Sequence, residues 1–282
     1  MVDPCSREGP LDRRLDERPW VVKRCDAGLS QGVALLSGRE LLAASERWAS
    51  GREAKSPWTV AQEYLERPYM GFGGSKFHLR VYVLVTRWAP SPSVLVFDEG
   101  LVFRSRDPYQ HDNLSEGRDI HPAPPRNNVE AFSHATLWAS LDAKSAARQA
   151  KAAIVQRPGS AEVRGRMAAA IRAIFGEALA ESFGDPGETD PSRVGFACFD
   201  LFGLDVMFDE ELRPFVLEVN HGPNLQVDDR GEESEGLLGR VKAPLVAQLA
   251  AWAALRARRA LEGAAGERRT EDEALLSFTR VL

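Results

Sequence analysis

Apolar and polar residues alternate most regularly over residues 76–86, where Phe77, Leu79, Val81 and Val83 hold one parity and Lys76, His78, Arg80 and Tyr82 the other. Successive strand side chains point to opposite faces, so this period of two predicts a β-strand with one apolar and one polar face. Burying both kinds of face in one core is costly, and the polar side is expected to line a cleft. Two cations held two residues apart also repel unless an anion lies over them, and a triphosphate would serve. A merely solvated sheet face is the competing reading. Shorter apolar runs predict strands at 20–23, 33–36, 59–65, 94–97 and 99–104, with 94–97 pairing with the long strand across a turn at 90–92. Recurrence at three and four positions predicts helices at 41–48, 143–155, 161–181 and 237–261, the first capped by Ser37. Between 105 and 128 the chain is rich in Pro, Asn, Asp and His without periodicity, which suits a long functional loop.

Two further strands, 204–208 and 215–220, flank the polar turn 209–214 and form a hairpin. Pairing centred on that turn sets Asp205 opposite Glu218. Period two places Glu218 and Asn220 on one face of their strand, with Leu217 and Val219 on the other. Carboxylates in cross-strand register repel. A divalent cation reverses that sign, and an all-oxygen set of two carboxylates and an amide favours Mg²⁺ over zinc. An edge hairpin with a solvated acidic face is the alternative.

The 282 residues, 44% of them hydrophobic, suffice for one large or two small domains with a real core. A formal charge of -5 argues against general nucleic-acid binding. Cys5, Cys25 and Cys198 have neither metal-ligand spacing nor a disulfide framework, which fits a reducing compartment. No apolar run reaches membrane-spanning length and no signal-peptide pattern opens the chain, so a cytoplasmic protein without membrane insertion is expected. Charged, turn-rich residues 1–19 are expected to be poorly packed, and the charged stretch 261–282 to be a flexible tail. The mixture of elements predicts an α+β fold with antiparallel sheet.

Lys23 closes one strand ahead of a loop containing Gly28 and Gly32. Glycines let backbone N–H groups approach phosphate oxygens, and a nearby ammonium supplies a point charge. The segment matches neither the GxxxxGK[ST] loop nor the dinucleotide fingerprint, and an ordinary hairpin turn explains it equally well. Arg104, at the end of 99–104, is a candidate bidentate clamp for carboxylate or phosphate.

The ordered series WVVKRCDAGLSQGVAL, VAQEYLERPYM, GGSKFHLRVYVLVT, DEGLVFR, FDLFGLDVMFDEELRPFVLEVNHGPNLQ and GRVKAPLV, over roughly residues 20–248, resembles the ATP-grasp domain of the tubulin-tyrosine-ligase-like family. The resemblance implies an ATP-grasp-like domain over 20–260, with a nucleotide-binding subdomain at 20–66 and a catalytic subdomain at 67–260. It implies an ATP- and Mg²⁺-dependent ligase that joins a free amino acid to a protein carboxylate, with an acidic tubulin tail as acceptor and a cytoskeletal or ciliary location. Glutamate is the first expectation for the amino acid, glycine and tyrosine the alternatives. A nucleotide-responsive interaction module and a ligase acting on a small carboxylic acid are the other readings.

By the family pattern Lys23 contacts the α-phosphate region, residues 62–65 (Gln62, Glu63, Tyr64, Leu65) form the adenine-contacting hinge, and Lys76 reaches the nucleotide. Arg80 and Arg104 lie near transferred phosphate or acceptor carboxylate. Asp205, Glu218 and Asn220 hold Mg²⁺, and Lys242 lies on the cleft side of the last helix. The chain departs from the family in three places. His78 stands in KFHLR where members commonly carry KFDLR, and histidine cannot replace aspartate as an anionic acceptor. His134-Ala135-Thr136-Leu137 stands for the usual HLTN, and less chain precedes Lys23 than is usual.

Overall fold

The computed structural model describes residues 18–24, 33–50, 59–87, 93–109, 129–150, 157–183, 199–226, 232–262 and 277–282. The long alternating strand, β4 (Phe77–Arg87), lies near the middle of a larger sheet completed by β5 (Ser93–Ser105), β6 (Val129–Ser133), β7 (Asp200–Phe208) and β8 (Pro214–His221), in the order β6-β5-β4-β7-β8. Every pairing in it is antiparallel. A smaller antiparallel sheet is built from β1 (Pro19–Arg24), β2 (Val33–Ser37) and β3 (Thr59–Glu63), in the order β2-β1-β3. Helix α1 (Gly38–Ala49) follows β2 directly. Its start is a reciprocal box: the Ser37 hydroxyl accepts from the Glu40 amide at 3.3 Å, and the Glu40 carboxylate accepts from the Ser37 amide at 2.8 Å.

Both faces of the larger sheet are buried along most of β4 and much of β5. Leu79, Val81, Val83 and Val85 enter one core, closed by Leu137, Trp138 and Leu141 of α2 (His134–Ala150) and by Val163, Met167, Ile171 and Phe175 of α3 (Ser160–Phe183). Tyr82 and Leu84 enter a second core under α4 (Glu232–Glu262), whose Leu238, Val241, Leu245, Leu249 and Trp252 recur at three and four positions on one face. The polar parity of β4, expected to line a cleft along its length, is therefore covered by α4 from Tyr82 onward, and Lys76 and His78 are also buried. A strand flanked by two helical layers has no solvated face, whichever residues it carries.

The separately expected strands 94–97 and 99–104 are one strand, β5. Val81 pairs with Gly100 and Val83 with Val96, so the one intervening residue of β4, Tyr82, faces three of β5, Phe97 to Glu99. The even excess keeps the in–out alternation in phase, and exposed Asp98 and half-buried Glu99 absorb it. Strand β6 escaped the pattern reading because its five residues are all half-buried and show no alternation. The expected frayed tail ends instead in β9 (Phe278–Arg280), which pairs with β5 and leaves Val281 buried. The 90–92 turn and most of the 105–128 loop lie outside the described residues. Among the described residues no helix is long and apolar enough to cross a membrane.

Helix α2 begins nine residues before the expected 143, so the segment 134–137 forms its first turn, capped by Ser133 through the Thr136 amide. His134 is buried edge-on to Trp138, with ring centroids 5.7 Å apart, beside the backbone of Leu101 and Arg80. A Cβ at Gly100 would lie 2.3 Å from His134 Cε1 and 2.4 Å from the Arg80 carbonyl oxygen, so the glycine is what admits the ring. Burial drives the His134 pKa from 6.5 down to about 3, against the raising effect of those backbone contacts. Between pH 6.5 and about 3 the unfolded chain thus binds a proton at His134 that the folded chain does not. The stabilising effect of neutral His134 is complete above pH 6.5 and declines as pH falls through that window, with a slope of up to about 1.4 kcal/mol per pH unit. Urea unfolding from pH 7 to 4 should show this slope, and His134→Gln should flatten it. An unchanged slope in the variant would rule the effect out.

Candidate functional site

The β7–β8 hairpin is set by its turn. Buried Asp209 accepts the backbone amides of Glu211 at 3.1 Å and Arg213 at 2.8 Å and the Arg213 guanidinium at 2.5 Å, while Leu212 takes a left-handed φ of 60°. This turn aligns Phe208 with Pro214, Met207 with Phe215 and Val206 with Val216. Continued unchanged, that register would oppose Asp205 to Leu217 and send Glu218 to the other face. A one-residue bulge intervenes: Leu217 has no cross-strand partner, and Asp205 pairs with Glu218, Gly203 with Asn220. The expected Asp205–Glu218 pairing is thus present, but it arises from the bulge and not from the turn alone.

Arg80 is the register partner of Asp205 on the other side, so Arg80, Asp205 and Glu218 form one row across β4, β7 and β8. Arg80 Nε donates to Asp205 Oδ1 at 2.6 Å and its Nη2 to Oδ2 at 3.2 Å. Burial opposes the Arg80 charge, yet Asp205, with smaller contributions from Tyr82 and Glu218, more than offsets it and holds the guanidinium pKa above its ordinary value. In the next row Gly203 makes room for this side chain: a Cβ there would meet Arg80 Cδ at 3.1 Å and Pro223 Cβ at 2.8 Å.

The smaller sheet reaches this hairpin from the opposite side. Lys23 Nζ donates to the carbonyl oxygen of bulged Leu217 at 2.7 Å, and Gln62 Nε2 donates to the Val216 carbonyl at 3.4 Å. Burial lowers the Lys23 pKa, while Glu218 and Asp205 act to raise it, so the ammonium lies within the field of both carboxylates. Gly28 and Gly32 fall outside the described residues. Glu63 is exposed and ion-paired with Arg18. Leu65 is half-buried and Tyr64 buried, and the Tyr64 hydroxyl accepts from Lys76 Nζ at 2.7 Å.

Three other residues singled out in the sequence have defined surroundings. His78 packs on Phe103 with centroids 5.4 Å apart, and burial lowers its pKa, with Asp205 acting to raise it and Arg80 to lower it, so its imidazole is neutral. Arg104 donates to Glu130 at 2.5 Å and lies over the Phe72 and Phe132 rings. It also crosses Gly73, whose φ of 83° and lack of Cβ permit the approach. Lys242 donates to the Gln226 carbonyl at 2.5 Å, pinning α4 to the segment that follows β8. The sequence reading missed Glu130, which lies on the unrecognised β6, and Gly203, whose only signal is a glycine inside a strand pattern.

Asp205, Glu218 and Asn220 form an all-oxygen donor set of the kind that hard divalent cations take. Among the described residues no cluster of three His, Cys, Asp or Glu that could hold a metal ion is present. Arg80 occupies only part of the acceptor capacity of Asp205, because each carboxylate oxygen offers two lone pairs.

Comparison with known proteins places these residues in context. The sequence model of the tubulin-tyrosine ligase family matches residues 7–122 and 127–236. The chain is similar to tubulin monoglutamylase TTLL4 of Homo sapiens, 30% identical over 222 residues, covering 73% of this chain and 16% of that protein. Tubulin polyglutamylase TTLL7 of Homo sapiens is 21% identical over 229 residues (78% and 24%), and tubulin monoglycylase TTLL3 of Mus musculus 25% over 232 residues (76% and 22%). The chain therefore spans about a quarter or less of the length of these relatives. Among solved structures the fold is similar to the C-terminal domain of K. lactis Pby1, described as an ATP-grasp enzyme interacting with the mRNA decapping enzyme Dcp2. The TM-score is 0.50 at 18% identity, covering 95% of this chain and 63% of that one.

The row geometry predicts the effect of filling Gly203. Gly203→Ala should displace Arg80 from Asp205 and crowd Pro223, costing about 1–3 kcal/mol as overpacked sites do. Thermal unfolding would register this as a lower Tm, and an unchanged Tm would contradict the packing described.

Proposed function

The chain belongs to the tubulin-tyrosine ligase family, and from that premise we propose that it is an ATP-dependent ligase joining an amino acid to a carboxylate on an acidic, tubulin-type protein tail. The observation that carries the reading is the row Arg80, Asp205 and Glu218, with Lys23 brought to it from the other sheet. Two adjacent carboxylates on a sheet lie there between the cations Arg80 and Lys23, as handling a phosphoryl group and its counter-ion requires. In this reading Lys23, residues 62–65, Lys76 and His78 surround the nucleotide, and Asp205, Glu218 and Asn220 hold Mg²⁺. The bound ion would neutralise charge on the phosphates.

The reaction needs no protein nucleophile. A carboxylate oxygen of the acceptor attacks the γ-phosphorus of ATP, the bond to the β-phosphate oxygen breaks, and ADP leaves. The amino nitrogen of the incoming amino acid then attacks the acyl carbon of the resulting acyl phosphate. Inorganic phosphate departs and the nitrogen gives up a proton. Arg80, anchored on Asp205, would present its remaining N–H groups to the transferring phosphoryl, and Lys23 would face it across the cleft. Arg104 and Lys242, the other residues proposed to act in the cleft, are tied to Glu130 and to the Gln226 carbonyl respectively, so each acts from a fixed position. Glutamate is the proposed amino acid, supported by the naming of two of the relatives above for glutamylation. A cytoplasmic, cytoskeletal location follows from the same acceptor.

A second reading, a nucleotide-responsive interaction module, is favoured by one observation: neutral, buried His78 stands where the family pattern has an aspartate. Incubation with Mg²⁺, ATP, acidic tail peptides and glutamate, glycine or tyrosine separates the two. Ligation should give ADP and a peptide heavier by one glutamyl residue. Glu218→Gln, which keeps volume and removes charge, should reduce turnover by about 10²-fold or more. Equal turnover in Glu218→Gln and wild type would remove the metal assignment, and a glycyl or tyrosyl adduct would replace glutamate. Nucleotide binding without any adduct would favour the module, and a labelled product in the low-mass fraction would point to a small carboxylic acid as acceptor.

A further inference from the structure

Lys76 is 3% exposed, and its ammonium is the start of a relay whose last side chain lies beyond the end of β5. Lys76 Nζ donates to the Tyr64 hydroxyl at 2.7 Å. That hydroxyl lies 3.2 Å from the hydroxyl of Tyr109, which donates to the Glu66 carbonyl at 3.0 Å. A phenol has one proton to give. Because the Tyr109 proton goes to Glu66, the contact between the two phenols runs from Tyr64 to Tyr109. The direction of the whole chain is thereby fixed, from the Lys76 ammonium through Tyr64 and Tyr109 to the Glu66 carbonyl. Positive charge at one end and a carbonyl dipole at the other polarise each bond in the same sense. The two rings also enclose the ammonium, with centroids 4.4 Å away for Tyr64 and 5.0 Å for Tyr109, both within cation–π range.

We propose that Tyr109 is a positioning residue that locks Lys76 and the 62–66 segment into one unit before a nucleotide arrives. The inference rests on the nucleotide reading of this cleft given above. A lysine stem of four carbons has many rotamers, and a ligand that must order it loses affinity. Tyr64 alone ties Lys76 to the end of β3. Tyr109 adds a second ring and closes the relay onto Glu66, so two chain segments, 64–66 and the one carrying Tyr109, hold the Lys76 ammonium still. Tyr109 thus acts through Lys76 and Glu66, and its contribution is to binding affinity.

The test is calorimetric binding of a non-hydrolysable ATP analogue with Mg²⁺ to the full chain and its variants, each checked for folding by its thermal transition. Tyr109→Ala should weaken binding roughly tenfold. Tyr109→Phe keeps the ring but cuts the relay, and should weaken binding by a smaller, measurable factor. It decides the matter if the alanine variant does not fold. In a Lys76→Ala background, Tyr109→Phe should change affinity by less than about twofold, since the two side chains form one unit. Wild-type affinity in both Tyr109 variants, with Lys76→Ala clearly weakened, would overturn the role of Tyr109 and leave the nucleotide reading standing. Losses that multiply in the double variant would also overturn it. Wild-type affinity in Lys76→Ala would remove the nucleotide reading, and this proposal with it.

Discussion

A single unpaired residue, Leu217, determines which side chains of β8 share a row with Asp205 and Arg80. The Asp209 turn fixes the register of β7 and β8 at their connected end, and that register alone would leave Asp205 facing a leucine. The bulge advances β8 by one position and brings Glu218, then Asn220, to the face that already carries Asp205 and Arg80. It also turns a ladder carbonyl away from β7, and Lys23 of the other sheet takes it. One local irregularity therefore assembles the carboxylate row and attaches the smaller sheet to it. Bulges commonly serve in this way beside functional sites, where they re-aim side chains that regular pairing would misplace.

Charge balance within the row follows from the same arrangement. Asp205 and Glu218, paired across strands, would repel on their own, but Arg80 flanks one and Lys23 lies in the field of both. Taking Lys23 partly out of water lowers its pKa, and Glu218 and Asp205 offset only part of that effect, while the ammonium also donates to the Leu217 carbonyl. The charges of Arg80, Asp205 and Glu218 are held by backbone register and so pre-organised, which is what distinguishes them from an equal number of charges on a flexible surface.

Much of this was legible in the chain because a period of two is unambiguous over long stretches. The faces of β4 and the partnership of Asp205 with Glu218 could both be read from it, although the sequence arithmetic reached the correct pair without detecting the bulge. What escaped depended on contacts from distant segments. The parity of Lys76, His78 and Arg80 was evident, yet their burial depends on neighbouring segments, and that of Tyr82 on α4, which follows β4 by well over a hundred residues. The 134–137 segment fell outside the helix expected from 143 because its helical character rests on a Ser133 cap and on a space left by Gly100. Lys23 was recognisable as a cation beside a loop, but nothing local to it indicates a carbonyl on β8 as its partner.

Of the three register irregularities among the described residues of the larger sheet, those at Asp98–Glu99 and at Leu217 also behave like shifts in a two-letter reading frame. The surplus in β5 is even, so residues on both sides of it keep the same in–out assignment, and the strand reads correctly through the interruption. The surplus in β8 is odd, so the frame before it and the frame after it differ, and one stretch of eight residues addresses two faces. Length variation at Asp98 and Glu99 in steps of two is consequently neutral to the cores, whereas a change of one residue at Leu217 would rewrite which residues of β8 share a row with Asp205 and Arg80. Sequence comparison among related chains should therefore find gaps tolerated at the first position and the spacing from Asp205 to Glu218 held constant at the second.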